Sequence, residues 1–424
     1  MLEINRLRED KEAIIKGLEK RGIKAETLVE EIINLDSEWR SMLTKLQEIQ
    51  AESNSISKQI GVFFREGKKD EAEKAKAHTA ELKKSEQNLK KEVESIEEKI
   101  QNKLYDLPNV PQDIVPAGNS EDDNEIIEEV GEEKTFDFEA KPHWDIAKEY
   151  DLIDFELGVK VTGAGFPFYK RKGARLQRAL INFFLDEAEK AGYEEFIPPL
   201  VVNEESGIAT GQLPDKEGQM YHVTAEDLYL IPTAEVPLTN MYRDVLFKDE
   251  DFSIKITGYT PCFRREAGSY GKDVRGLNRL HQFDKVELVR IEHPNHSQKA
   301  LEEMVAHTKS LLEKLGLQYR VLRLCGGDLG FTSAITYDFE VYSAAQKRWL
   351  EVSSVSLFET FQANRLKLRF KGEDKKPRLC HTLNGSALAL PRIVAALLEN
   401  NQTKDGIKIP EALVKYTGFD VIQK

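Results

Sequence analysis

Between Thr260 and Glu287 the chain reads TPCFRREAGSYGKDVRGLNRLHQFDKVE, in which arginines, carboxylates and one aromatic lie between two apolar stretches. Alternation through Ile254, Ile256, Tyr259 and Cys262, and again through Phe283, Val286 and Leu288, predicts two antiparallel strands with one buried face. Gly268, Gly271 and Gly276 mark the connecting loop. Arg264, Arg265 and Glu266 then fall where strand meets loop, and a hairpin should bring them beside Phe283 and Glu287 on the returning strand. Guanidinium forks bind phosphate oxygens bidentately, and an aromatic face stacks on a base, so this layout suits a polyphosphate joined to a purine. Taken alone, the same residue types also suit a solvated sheet face, because most exposed ion pairs signify little.

The elements that must hold these residues divide the chain into an arm, a linker and a body. From Leu35, the positions Trp39, Met42, Leu46, Ile49, Ile56 and Ile60 recur at three- and four-residue steps, with Ser53 filling one place. After a break at Gly61 to Gly67 the stepping resumes through Leu82, Leu89, Val93, Ile96 and Ile100, with Glu86 interrupting it. Two long helices joined by a short turn should fold back as an antiparallel coiled coil, long enough to reach beyond a globular body. The stretch from Pro108 to Trp144 carries prolines, glycines and the acidic run SEDDNEIIEEVGEE, too poor in apolar residues for a core of its own. We place the arm at 1–112, a linker at 113–150 and the body at 151–424. In the body, helical patterns at Ala174 to Ala191 and His296 to Leu315 alternate with strands at Ile335 to Val341 and Trp349 to Val355, which predicts an α+β fold: an antiparallel sheet flanked by helices.

Composition excludes several classes. With 424 residues there is enough chain for two or three domains. No run of 18 apolar residues occurs and the amino terminus has no apolar signal core, so the expected protein is soluble and cytoplasmic, with no membrane partner. Cys262, Cys325 and Cys380 form no CxxC pair, which argues against a disulfide framework and a thiolate zinc site. The net charge of −13 does not exclude nucleic acid, because phosphate contact depends on local basic patches. There is no GxxxxGK[ST], no GxGxxG opening a helix and no HExxH, and His293 with His296 in a proline turn reads as a loop rather than a metal pair.

Five blocks carry a family resemblance: TAEVPLTN at Thr233 to Asn240, TPCFRREAGSYG at Thr260 to Gly271, RGLNRLHQFDKVE at Arg275 to Glu287, EVSS at Glu351 to Ser354, and HTLNGSALALPR at His381 to Arg392. In content and order they resemble seryl-tRNA synthetases of the bacterial type, which are class II aminoacyl-tRNA synthetases, and the likeness covers essentially the whole chain. It implies the class II antiparallel sheet, a tRNA-binding coiled-coil arm and a homodimer whose interface motif resembles Ala174 to Val201, with Pro198 in place. ATP would be held by Arg264 on the α-phosphate, Glu266 on the adenine amino group, Phe283 stacking, and Arg392 on the γ-phosphate. Arg265, Leu280 (through its backbone), Val352 and Ser353 would complete the nucleotide site. Glu351 and Ser354 resemble oxygen ligands for Mg²⁺. Serine would be recognised by the segment Thr233, Ala234 and Glu235, by Glu287 on the ammonium group, and by Thr382, Asn384 and Ser386.

The resemblance further implies two steps, serine carboxylate attacking ATP to give seryl-adenylate and the 3′ end of tRNA(Ser) then taking the seryl group; it leaves open whether tRNA(Sec) is charged too. No protein nucleophile is required, so Cys262 and Cys380 read as packing residues. Tyr270 and Arg275 would meet the acceptor stem. Departures from the family text are Val355, Leu357, Thr360 and Asn364, where many members have Cys, Asn, Asp and Arg, together with Ala387 and Pro391 in place of glycine and the segment Ala164 to Phe166. Leu357 is the oddest, an apolar side chain expected beside the ATP site. Three alternatives remain at this point: transfer of an amino acid to a carrier protein, a class II enzyme for threonine or proline, and a non-catalytic coiled-coil protein on a disused enzyme fold. The intact arm, the short chain after Arg392 and the joint presence of Arg264, Glu266, Glu287, Glu351 and Arg392 argue against them in turn.

Overall fold

The computed structural model describes residues 1–267 and 275–424, so Tyr270, Gly268 and Gly271 lie outside the described residues. It contains two compact units, one of Met1–Glu19 with Ile23–Pro108 and one of Lys20–Gly22 with Asn109–Lys424.

The first unit is helical: α1 (Ile4–Glu9), α2 (Lys11–Glu19), α3 (Glu26–Arg65) and α4 (Lys69–Asp106). At ~1.5 Å per residue each long helix runs close to 60 Å. α3 continues through Gly61 to Arg65, so the turn is shorter than the break expected from Gly61 to Gly67. A helix-interior glycine costs only about 1 kcal/mol, and the turn itself falls at Gly67, whose φ of +76° suits glycine. The predicted seam exists, with Leu46, Ser53, Val93 and Ile96 buried along it. Glu86, which interrupts the apolar series, is met across the seam by Gln50 Nε2 at 2.9 Å. Asp36 was not anticipated: it is buried between Arg8 and Arg40, each 2.9 Å away.

The second unit is built on an eight-stranded sheet. Its strands are β1 (Glu125–Val130), β2 (Glu194–Glu195), β3 (Ile254–Phe263), β4 (Gln282–Glu292), β5 (Tyr319–Arg323), β6 (Ile335–Ser343), β7 (Arg348–Glu359) and β8 (His381–Ala389). The spatial order is β1-β5-β6-β7-β8-β4-β3-β2, antiparallel except for the β2–β3 pair. Residues 113–150, where a linker is expected, contribute the edge strand β1 and the helix α5 (His143–Glu149). β1 is acidic because it is an edge: its glutamates stay largely in water, and Glu125 and Glu128 pair with Arg323 and Lys309.

One face of the sheet is covered by α6 (Arg171–Lys190), α8 (Ser297–Lys314) and α10 (Leu390–Asn400), and the other by α7 (Glu235–Asn240) and α9 (Thr360–Leu366). β4 is therefore buried on both faces along most of its length, where alternation had suggested one. Val286 and Leu288 join the main core under α6, α8 and α10, while Val289 packs with Ala234 and Leu238 on the opposite side. Period-two alternation then puts Phe283, Lys285 and Glu287 on the Val289 side. Leu357 is 1% exposed and lies in the main core with Val355 and Leu383, so its apolar side chain is a packing residue turned away from that side. Pro391 stands in the first turn of α10 directly after β8, where its fixed φ suits a helix start, and so sets Arg392 at the sheet edge of the helix.

Candidate active site

β3 and β4 pair with Cys262 opposite Phe283 and Gly258 opposite Glu287. Arg264 leaves β3 beside Phe283, and its guanidinium carbon lies 5.2 Å from that ring's centroid. The Arg264 main chain is held on both sides by His281: its N–H donates to the His281 carbonyl at 2.9 Å, and its carbonyl lies 3.1 Å from His281 Nδ1. Its Nε donates to the Pro232 carbonyl at 3.3 Å. Glu266 faces Arg279 at 3.5 Å. Arg265 turns away, its backbone N–H donating to Gln219 and its side chain exposed. Glu287 does not stand beside these groups, as the hairpin had suggested. It lies four residues deeper along β4 than Phe283, or about 13 Å at strand rise, which divides the floor into two subsites.

The deeper subsite is a closed carboxylate pocket. Glu287 is fully buried. Thr233 Oγ1 donates to Glu287 Oε2 at 3.0 Å, and Lys285 Nζ both contacts that same oxygen and donates to Thr233 Oγ1 at 2.8 Å. Glu287 Oε1 has no hydrogen-bond partner among the described residues. A buried, unmatched carboxylate oxygen costs free energy unless a donor arrives, so it is the side of the pocket prepared for an incoming N–H or O–H. Ser386 sits opposite Glu287 on β8, and its carbonyl accepts from Ser353 Oγ at 2.6 Å.

Behind Glu287 runs a chain of polar groups. Thr382 Oγ1 donates to Gln362 Oε1 at 2.7 Å, Gln362 Nε2 to Glu235 Oε1 at 2.7 Å, and Asn384 Nδ2 to Glu235 Oε2 at 2.8 Å. Burial, and then the charge of Glu287, push the Glu235 carboxyl up to about 7 against those two donors and Lys285. Thr382, Asn384 and Ser386 alternate on one face of β8 while Leu383 and Ala387 enter the main core. The Ala234 side chain is fully buried with Leu238 and Val289, and its carbonyl accepts from the Leu238 N–H at 3.1 Å.

The third group lies on β6, β7 and α10. Arg392 Nη1 donates to the Glu351 carbonyl at 2.7 Å and stands 3.3 Å from Glu351 Oε2, while its Nε donates to the Asn278 carbonyl at 3.0 Å. Val352 is in the main core and Ser353 is bonded to Ser386, so their side chains are engaged away from the surface. Leu280 likewise buries its side chain in the core. Ser354 is opposite Asp338 and hydrogen-bonds its carboxylate. Burial, followed by the Glu351 charge, lifts Asp338 well above the usual carboxylate range, and Asp338 Oδ1 has no partner among the described residues. Two carboxylates that repel each other, one of them with an unmatched oxygen, and a hydroxyl make a hard-oxygen set that fits Mg²⁺. Among the described residues no group of three or more His, Cys, Asp or Glu side chains could hold a metal unaided, so further oxygen ligands would have to come from phosphate or water.

Lys285, Asp338, Gln362 and Arg279 were missed in the sequence. Lys285 had a usable signal, since it stands two residues from Glu287 on the same strand face. Gln362 and Asp338 had none, because tertiary packing alone brings them to the site. Arg275 stacks on Trp144, its guanidinium carbon 4.5 Å from the ring centroid. All three cysteines are free and buried, so no disulfide forms among them, and burial raises the Cys262 thiol and pushes the Cys380 thiol up to about 12. No helix among the described residues is long and apolar enough to cross a membrane.

An antiparallel sheet bearing an arginine–aromatic floor, with a helix-borne arginine closing one end, is the arrangement of a class II aminoacyl-tRNA synthetase core. Residues 221–401 match the family model described as tRNA synthetase class II core domain (G, H, P, S and T), and residues 1–111 match the seryl-tRNA synthetase N-terminal domain. The serine–tRNA ligase of Salinibacter ruber is 53% identical over 99% of this chain and 98% of its own length, and that of Nautilia profundicola is 49% identical over 98% and 100%. Among solved structures, the seryl-tRNA synthetase of Pyrococcus horikoshii complexed with ATP superposes with a TM-score of 0.93 at 35% identity, covering 100% of this chain and 99% of that one. The chain belongs to the seryl-tRNA synthetase family.

Proposed function

We propose that the chain condenses L-serine with ATP to seryl-adenylate and pyrophosphate, then passes the seryl group to the 3′-terminal adenosine of tRNA(Ser), in the cytoplasm and as a homodimer. The unmatched Oε1 of Glu287, a buried carboxylate on the same strand face as Phe283 and Lys285 whose other oxygen accepts from the Thr233 hydroxyl, is the observation that carries this reading. It offers a negative acceptor to a small amino acid's ammonium group. Thr382, Asn384 and Ser386 line the adjoining β8 face with polar groups suited to a hydroxyl. A pocket built of hydrogen-bonding groups rejects alanine by leaving them unpaired and threonine by excluding its methyl.

For ATP, Phe283 is the platform for adenine, Glu266 the acceptor for its amino group, and Arg264 the cation at the α-phosphate, with Arg265, the Leu280 main chain and the segment Glu351 to Ser354 around it. Arg392 serves the β,γ end, exchanging its present bond to Glu351 for a phosphate. The serine carboxylate attacks the α-phosphorus in line and pyrophosphate departs, while Arg264 and Arg392 neutralise the charge that accumulates on the transferring oxygens. Mg²⁺, held by Glu351 and Ser354 with Asp338 behind them, would supply further charge neutralisation when bound. The arm, residues 1–112, is assigned to the tRNA. Its lysines can grip phosphates by shape more than by base sequence, whereas residues 151–424 carry the chemistry. Exposed Ile197, Leu200 and Val201, in the segment that resembles the family's interface motif, are assigned to the dimer contact.

The test is amino-acid-dependent pyrophosphate exchange with serine, threonine, alanine and glycine, followed by charging of tRNA(Ser) and tRNA(Sec). Exchange should be specific to serine and should vanish in Arg264→Ala with the fold intact. Equal exchange with alanine, or undiminished exchange in Arg264→Ala, would overturn the assignment.

A further inference from the structure

His143 begins α5 and Glu399 lies near the end of α10, and both are fully buried. Glu399 Oε1 accepts from the His143 backbone N–H at 2.9 Å and lies 2.7 Å from His143 Nδ1. Gln346 Nε2 donates to the same oxygen at 2.9 Å, and the Ser343 hydroxyl donates to Oε2. Burial alone would raise this carboxyl, but the bonds from His143 and Ser343 prevail and hold it below its ordinary range. On the other side of the imidazole, the Leu277 N–H donates to Nε2 at 2.8 Å. A ring nitrogen that accepts carries no proton, so the ring is the tautomer with its proton on Nδ1, directed at Glu399.

The ring thus fixes a main-chain segment from behind. Gly276, with φ of +66°, passes so close that a Cβ there would lie 2.2 Å from Nε2. Asn278, two residues further on, is held a second time by Gln346 Oε1, which accepts from Asn278 Nδ2 at 3.0 Å. The Asn278 carbonyl then receives Arg392 Nε. Neither His143 nor Glu399 belongs to the floor or the pockets described above. Glu399 shares α10 with Arg392, whereas the His143 ring is linked to the Arg392 guanidinium through Leu277 and Asn278.

We propose that His143 is a positioning residue for nucleotide binding: backed by Glu399, it fixes Leu277 and Asn278 so that the Asn278 carbonyl orients the Arg392 guanidinium toward the terminal phosphates. This rests on the reading of Arg392 as a phosphate ligand. A merely structural histidine would change stability without separating ATP from serine. A positioning histidine raises the KM for ATP and leaves that for serine in place.

Two variants separate the ring's two bonds. His143→Asn keeps a donor for Glu399 and loses the acceptor for Leu277, whereas His143→Gln keeps an acceptor for Leu277. In serine-dependent pyrophosphate exchange by the full-length chain, His143→Asn should raise the KM for ATP about tenfold, the effect of leaving one buried N–H unmatched, with the KM for serine within about twofold. His143→Gln should recover most of that loss. Gln346→Ala, at the partly exposed turn between β6 and β7, leaves the His143–Glu399 contact in place while removing one donor to Glu399 and the bond to Asn278, and should raise the KM for ATP roughly threefold by releasing Asn278. The proposal is overturned if both KM values rise together, if His143→Gln is as impaired as His143→Asn, or if only the melting temperature moves. Should His143→Asn fail to fold, an unchanged KM for ATP in Gln346→Ala overturns it. Failure of the proposed function is seen separately, as absence of serine-dependent exchange in the unmodified chain.

Discussion

Replacing Glu235 by glutamine should flatten a pH dependence of stability that the buried pocket builds in. The Glu235 carboxyl is raised from 4.5 to about 7, first by burial and then by the Glu287 charge. A shift of ~2.5 units corresponds to about 3 kcal/mol between its two protonation states. The folded chain holds the proton more tightly than the unfolded chain. The contribution is therefore fully present below pH 4.5, is lost as pH rises toward 7, and is flat beyond. The amide introduced by Glu235→Gln resembles the protonated acid and does not titrate, while Gln362 and Asn384 remain beside it as adjustable amides. In urea unfolding, the stability of the unmodified chain relative to Glu235→Gln should fall by about 2–3 kcal/mol between pH 5 and pH 8. Taking the difference at each pH removes the titration of every other group the two chains share. A difference constant to within about 0.5 kcal/mol would refute the argument that Glu235 is held as the acid in the folded pocket.

Glu287→Gln keeps the shape of the serine pocket but removes its negative acceptor, and should lower kcat/KM for serine at least ~100-fold with the KM for ATP little changed; steady-state pyrophosphate exchange reads both. Arg290→Met strands the buried Glu292 carboxylate, which now accepts from Arg290 Nε at 2.7 Å, and should destabilise the chain by ~3–5 kcal/mol in urea unfolding; a loss under about 1 kcal/mol would show that Glu292 is not dependent on it. Deleting Asp36 to Leu104 should spare serine-dependent exchange and cripple tRNA charging, and full charging by the truncated chain would remove the arm from tRNA recognition.

Much of the architecture was legible because its determinants are local. The periodicity at Ala174 to Ala191 and His296 to Leu315 anticipated α6 and α8 to within a few residues, and the strand patterns at 335–341 and 349–355 lie inside β6 and β7. The coiled-coil seam was legible too, polar interruptions included, because a helix carries its spacing in the chain itself. β1 was not. EIIEEV has no apolar face, and becomes a strand only because β5, remote in sequence, offers it an edge and basic partners. The candidate site followed the same division. Arg264 reaches Phe283 as the hairpin pattern implied, whereas Glu287 falls into a separate pocket, because strand register sets how far apart the two positions lie.

What the amino-acid order determined by itself is the kind of element at most positions, the family text, and which side chains were available for phosphate and ammonium. Only the tertiary structure decided which of those side chains meet. It paired Lys285 with Glu287 and left one oxygen over, raised Glu235 by burying it and then by setting it near a second acid, turned Leu357 into the core, and set His143 behind Leu277. Residue type and spacing act over a few positions of chain, but burial, electrostatic coupling and an unmatched hydrogen bond depend on neighbours that only the folded packing supplies.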